Sequence, residues 1–207
     1  MTLIAKNHLG YKNLIKLISK SQIVGKTSGI PVIETEWLTE HSDGLIALSG
    51  GFRGHIGKAV LDSNHDLFLK RIKYFQKIFK EDFILEISRI NRPQEDLYND
   101  YILSKAGELG LPVVASNEVR FIDKEDYEAH ETRVCIQKGE VLSDARRTRS
   151  YFEDQYFLSP EEMHEKFKDI PEVLSNAYEL GKKCNLEIET GIYAVSYTHL
   201  RAHETTL

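Results

Sequence analysis

Between residues 11 and 24, Leu14, Leu17, Ile18 and Ser21 recur at helical spacing while the lysines fall largely elsewhere. That pattern predicts an amphipathic helix that Gly25 stops. A short helix is expected from Thr35, whose hydroxyl can cap it, with Trp37 and Leu38 turned inward. The run GLIALS at 44–49 is apolar without alternation, as in a strand buried on both faces. The glycine-rich turn GGFRGHIG at 50–57 follows and leads into a brief helix. Phe68, Ile72, Phe75 and Phe79 then mark a second amphipathic helix through 66–80.

FILEI at 83–87 reads as the next strand. Pro93, with Glu95 and Asp96 in the first turn, opens a helix that runs to Leu109, where Gly110 caps it and Pro112 prevents continuation. A further strand lies in LPVVASNEVRF at 111–121. Strands alternating with helices, the strands themselves apolar, predict an α/β fold with a parallel sheet or barrel. After residue 144 the pattern changes. DARRTRSYFEDQYF is polar and aromatic and reads as a connector. Ser159-Pro160-Glu161-Glu162 is a capping box that opens a helix carrying Met163 and Phe167 inward. A second helix follows Pro171, with Val173, Ala177 and Cys184 roughly on one face. Two helices without an intervening strand suggest an extension leading toward another domain.

Composition narrows the class. The 207 residues are 41% apolar and 29% charged, ordinary for a globular chain, and carry a formal net charge of −5. Nothing global therefore draws the chain to nucleic acid or anionic lipid. No run of apolar residues is long enough for a membrane span, and the N-terminus lacks a secretory core. Cys135 and Cys184 have no metal-ligand or redox spacing and read as free thiols of a reducing cytosol.

Candidate chemistry is sparse. The turn at 50–58 fails as a phosphate loop, because Gly51 and Gly57 enclose five residues and Ala59 replaces the required hydroxyl. Its glycines are expected to permit a tight turn and close backbone packing. His41, His55, His65, His130 and His164 are scattered. His130, in YEAHE between Glu128 and Glu131, is either a ligand or base or, the favoured reading, a helix-surface residue. Arg146, Arg147 and Arg149 form a basic cluster that reads as a solvated connector rather than a phosphate contact. The strand at 111–121 is the sharpest case. A barrel presents functional side chains at its strand ends, and residues two apart in an extended segment share a face. Asp-x-His there would supply two metal ligands, but the residues are Glu118 and Arg120. A guanidinium has no lone pair to offer, so the pair is expected to form a salt bridge in place of a metal cluster.

Several long blocks stand in a familiar order: LIAKNHLGYKNLIKLISK, HSDGLIALSGG, ILEISRINRPQED, LGLPVVASNEVRFIDKEDYEAHETRVCIQKG and YFLSPEEMHEKFKDIPEVLSNAYELGKKCNLEI. Over residues 3–193 they resemble the family of bacterial DNA polymerase III alpha subunits, in its gammaproteobacterial form. The similar region is the later part of the N-terminal PHP (polymerase and histidinol phosphatase) domain and the start of the following connection. The resemblance implies a partial distorted (β/α)7 PHP-type barrel followed by a helical connector. At positions matching the family's metal ligands stand Gly51, Ile90, Glu118 and Arg120, of which only Glu118 could coordinate a metal.

The resemblance therefore implies a degenerate site with no catalytic, cofactor-binding or metal-binding residues of its own. It implies a non-catalytic scaffold on which the proofreading exonuclease subunit docks, inside a cytoplasmic DNA-directed DNA polymerase. The parent would hold magnesium in a palm domain and meet DNA and other replicase subunits through other domains, with no membrane involved. The alternative is an active metal-dependent phosphoesterase or exonuclease PHP domain. The expected organisation is barrel at 1–144, connector and helices at 145–193, and a tail at 194–207. That tail, AVSYTHLRAHETTL, departs from the family and looks like translated adapter sequence, so the i, i+4 pair His199 and His203 carries no functional reading.

Overall fold

A computed structural model describes residues 1–191 other than 28, 145 and 189; the tail with His199 and His203 lies outside the described residues. The elements are β1 (Thr2–Ala5), α1 (His8–Ile23), β2 (Lys26–Thr27), β3 (Ile30–Pro31), α2 (Thr35–Glu40), β4 (Leu45–Leu48), α3 (His55–Leu61) and α4 (His65–Phe79). They continue with β5 (Phe83–Ser88), α5 (Glu95–Leu109), β6 (Val113–Ser116), α6 (Tyr127–Lys138), α7 (Pro160–Lys166) and α8 (Glu172–Lys183). The main sheet has the order β1-β4-β5-β6. β4, β5 and β6 are parallel, in the register Ala47–Phe83 and Leu85–Val113, while β1 runs antiparallel to β4. The expected α/β class with a parallel sheet is thus present, with an antiparallel strand at one side.

Alternation along each strand divides the apolar residues between two faces. Leu45, Ala47, Phe83, Leu85, Ile87 and Val113 form the larger core with Phe68, Ile72, Phe75 and Phe79 of α4 and Tyr98, Ile102 and Ala106 of α5. All four α4 residues marked by the spacing are buried. Each such side chain contributes about 1.5–3 kcal/mol by leaving water. On the opposite face Ile46, Leu48, Ile84 and Val114 meet Ile4, Ala177, Leu180 and Cys184. The segment after residue 144 supplies the cover for this second face: α8 lies along β6, and Asn176 Nδ2 donates to the Val113 carbonyl at 2.9 Å.

Local sequence explains most boundaries, and the structure corrects two of them and the buried face of one helix. α1 begins at His8 because the Asn7 side chain accepts from the Gly10 amide. Its buried face is Gly10, Asn13, Leu17 and Ser21, so Leu14 is only half-buried and Ile18 is exposed. That face is turned because Gly10 sits against the backbone of Gly44. Thr35 is the first residue of α2 rather than its cap, since Glu34 holds the extended capping conformation without a side-chain bond. α5 opens at Glu95, after Gln94 in the left-handed region, and not at Pro93. Gly110 closes it in that region too, with its amide on the Ala106 carbonyl. The capping box of α7 is complete: the Glu162 amide donates to Ser159 Oγ and the Ser159 amide to Glu162 Oε2.

Candidate functional site

The C-terminal ends of β4, β5 and β6 lie side by side, and their loops carry the chemistry. After β4, Gly50 and Gly51 both have positive φ and lead into a single 3-10 turn at Gly51–Arg53. A Cβ on Gly57 would stand 2.3 Å from the Phe52 carbonyl oxygen, so the glycines of this turn serve tight backbone packing, as the failed phosphate-loop spacing implies. Gly51 is buried beside Glu86, whose Cγ and Cδ lie 3.9 Å from where a Gly51 Cβ would be. The Glu86 amide donates to Ser49 Oγ, which ties β5 to the end of β4.

After β5 the chain turns back on itself around Glu95. This buried carboxylate accepts from Ser88 Oγ at 2.9 Å, from the Ile90 amide at 2.7 Å and from the Arg92 amide at 3.4 Å. Burial raises the Glu95 pKa, opposed by those hydrogen bonds. Ile90 is fully buried and presents only an alkyl chain. Arg92, with its side chain 5% exposed, points across to the end of β6, where Nη2 bonds Glu118 Oε2 at 2.7 Å. Its guanidinium lies over Phe52, 4.8 Å from the ring centroid, and 5.7 Å from that of Phe152. Below this group the Tyr98 hydroxyl donates to the Glu86 carbonyl at 2.8 Å, and burial pushes its pKa up.

β6 ends at Ser116, and Glu118 adopts a φ of +46°. The expected salt bridge between Glu118 and Arg120 is therefore absent. The left-handed turn breaks the extended alternation, so the two side chains do not share a face. Glu118 pairs with Arg92 instead, and the exposed Arg120 lies with its guanidinium 5.5 Å from the centroid of Tyr151. Residues 151–158 of the connector run across these strand ends. The Arg120 amide donates to the Gln155 carbonyl, the fully buried Gln155 side chain donates to the Glu118 carbonyl, and the Phe157 amide donates to the Ile122 carbonyl. Asn117 Nδ2 adds bonds to the carbonyls of Asp154 and Tyr156.

Two surface readings are corrected. His130 is half-buried on α6 rather than a free helix-surface residue among carboxylates. Its ring is T-shaped against Tyr151 at 4.6 Å and tilted against Phe121 at 5.6 Å, and its Nε2 is buried without a partner. Burial lowers its pKa, with Arg133 and Arg120 adding to the effect and Glu131 opposing it. Arg147 is not solvated, because it forms a buried ion pair with Glu131. Arg146 does lie on the surface, paired with Asp144.

A metal of the kind the strand-end positions would hold elsewhere does not fit these residues. Gly51 and Ile90 have no side-chain ligand atoms, Arg120 faces Tyr151, and the one candidate side-chain ligand, Glu118, already binds a guanidinium. Among the described residues no three His, Cys, Asp or Glu side chains converge in a metal-binding arrangement. Sequence reading named Glu118 but missed Arg92, Glu86 and Phe152. Glu86 left a trace, as the single charge in its strand. Arg92 left none, because its partner is 26 residues away.

Comparison with known proteins agrees with the block order. Residues 1–90 match the model of the PHP domain. The chain is 46% identical over 193 residues to the DNA polymerase III subunit alpha of Vibrio cholerae, a match covering 93% of this chain and 17% of that relative. It is 43% identical to the subunit of Escherichia coli K12 and 42% to that of Pseudomonas aeruginosa, again over 93% of the chain and 17% and 16% of the relatives. The chain thus spans about a sixth of the length of these relatives.

Proposed function

We propose that this chain, homologous to the N-terminal PHP region of DNA polymerase III alpha subunits, is a catalytically inactive scaffold within a replicative DNA polymerase. In this reading it is the later part of a distorted (β/α)7 barrel and docks the proofreading exonuclease subunit. The parent is a cytoplasmic DNA-directed DNA polymerase that extends primers with magnesium held in its palm domain. It meets DNA and the other replicase subunits through domains outside this segment. None of the described helices is long and apolar enough to cross a membrane.

One observation carries the scaffold role. The Glu118 carboxylate at the strand ends is paired with an arginine of the chain itself, Arg92, within a setting of Phe52 and Phe152. Metal-assisted hydrolysis needs several convergent lone-pair donors and an open coordination position. Here the space holds a guanidinium, two aromatic rings and an alkyl chain.

The test uses the intact parent subunit. Elemental analysis is expected to find less than one equivalent of zinc, manganese or iron in the PHP region. A generic phosphodiester should not be cleaved there, and the exonuclease subunit should co-elute with the parent. Stoichiometric metal with chelator-sensitive hydrolysis would replace this reading with that of an active phosphoesterase. Loss of co-elution would remove the docking role alone.

A further inference from the structure

Arg92 belongs to the loop after β5, yet its side chain reaches every other element at the strand ends. It bonds Glu118 after β6, lies over Phe52 after β4, and faces Phe152 of the connector. A residue so nearly dry, with Nε and Nη1 buried and unpartnered, is a costly way to satisfy one carboxylate. What it supplies is a fixed positive charge at the junction of three loops and the 151–158 strip. Glu118 is the link between the two halves of this arrangement. Its carboxylate binds Arg92, its backbone is held at positive φ, and its carbonyl accepts from the buried Gln155 side chain.

We propose that Arg92 is a positioning residue: its guanidinium acts as a built-in cation that cross-links the strand-end loops, as a metal ion would, and thereby fixes the 151–158 strip across them. The inference rests on the scaffold reading only in taking these strand ends to be free of metal. The geometry is independent of any partner. A cation that is part of the chain cannot be lost to chelators or exchanged, so the strip keeps one position whatever the metal supply.

Hydrogen exchange on the full chain separates this role from ordinary core stability. Arg92→Met removes the charge, and Glu118→Gln, the milder variant, removes the same pair while nearly preserving shape. In both, the amides of Arg120 and Phe157, which bond Gln155 and Ile122, are expected to exchange about tenfold faster or more. The amides of Ser49 and Leu85, which bond Ile84 and Pro112 within the sheet, should keep their rates. Unchanged rates at Arg120 and Phe157 would overturn the proposal. So would equal acceleration in the strip and the sheet, the mark of a merely global loss of stability. If Arg92→Met does not fold, Glu118→Gln decides alone by the same two comparisons. Metal analysis of the unaltered protein tests the shared premise separately: stoichiometric metal at the strand ends would sink the scaffold reading and the built-in cation with it, whereas metal-free protein without the selective response would sink the positioning role of Arg92 alone.

Discussion

Glu131 Oε2 and Arg147 Nη1 lie 2.5 Å apart, with their side chains 3% and 4% exposed, and join α6 to the connector. Oε1 of the same carboxylate is buried without a partner, so Arg147 is the only group balancing this charge among the described contacts. Removing one member of a buried pair strands the other, whereas replacing both by apolar groups need cost little. Arg147→Met and Glu131→Leu should therefore each lower the unfolding midpoint more than the double variant does. Thermal denaturation of the four proteins in the cycle measures this directly, and simple additivity would show the pair to be energetically idle.

Gly10 and Gly107 are both helical glycines with opposite expectations. A Cβ on Gly10 would stand 1.9 Å from the Gly44 carbonyl oxygen, which is backbone and cannot rotate away. Gly10→Ala should thus force α1 off the turn before β4 and cost about 1–3 kcal/mol. Gly107, on the exposed side of α5, has nothing within 4 Å of its Cβ position. Gly107→Ala should stabilise by about 0.5–1 kcal/mol, through helix propensity alone. Chemical denaturation of the two variants beside the parent gives both signs in one series.

The contrast shows where the sequence was informative. Period and alternation are local, so α4, β4, β5 and the capped helix α7 could be read from spacing and capping residues. The face of α1 could not, because it depends on Gly10 meeting Gly44, two residues from separate elements. The site divides in the same way. Gly51, Ile90 and Arg120 lack metal-ligand atoms by residue type alone, which needs no structure. The pairing of Glu118 followed from assuming an extended backbone, and one positive φ angle sent its carboxylate to Arg92 instead. Arg147 and His130 looked like surface residues because the Glu131 pair and the Tyr151 ring come from packing of the connector on α6.

Acid should loosen the contact between the loop after β5 and the connection from α7 to α8. Arg89 binds both carboxylate oxygens of Asp169, at 2.6 and 2.7 Å, and lies over Phe167. The hydrogen bond from Arg89 is the main cause that holds the Asp169 pKa down at about 2, against an ordinary value of 3.8. A depressed carboxylate pKa stabilises the fold fully above the ordinary value and loses that contribution as pH falls through the folded-state value. The midpoint difference between the parent and Asp169→Asn should accordingly be present at pH 5 and vanish toward pH 2. With the aspartate side chain 57% exposed, its size should stay below about 1 kcal/mol. A difference that persisted unchanged at pH 2 would show that charge is not its source.

Adding one imidazole should not create a metal centre. Arg120→His supplies a lone-pair donor in the strand-end loop after β6, but the backbone there follows the left-handed turn at Glu118, and the Arg120 side chain faces Tyr151. The Glu118 carboxylate is turned to Arg92, while Gly51 and Ile90 still contribute no donor. A single imidazole beside an occupied carboxylate falls short of the three protein ligands that hold a catalytic zinc. Titration calorimetry of Arg120→His with zinc and with manganese is expected to match the parent. Stoichiometric uptake that appears only in the variant would mean that the strand-end side chains rearrange to converge on a metal, against the seating of Arg92 on Glu118.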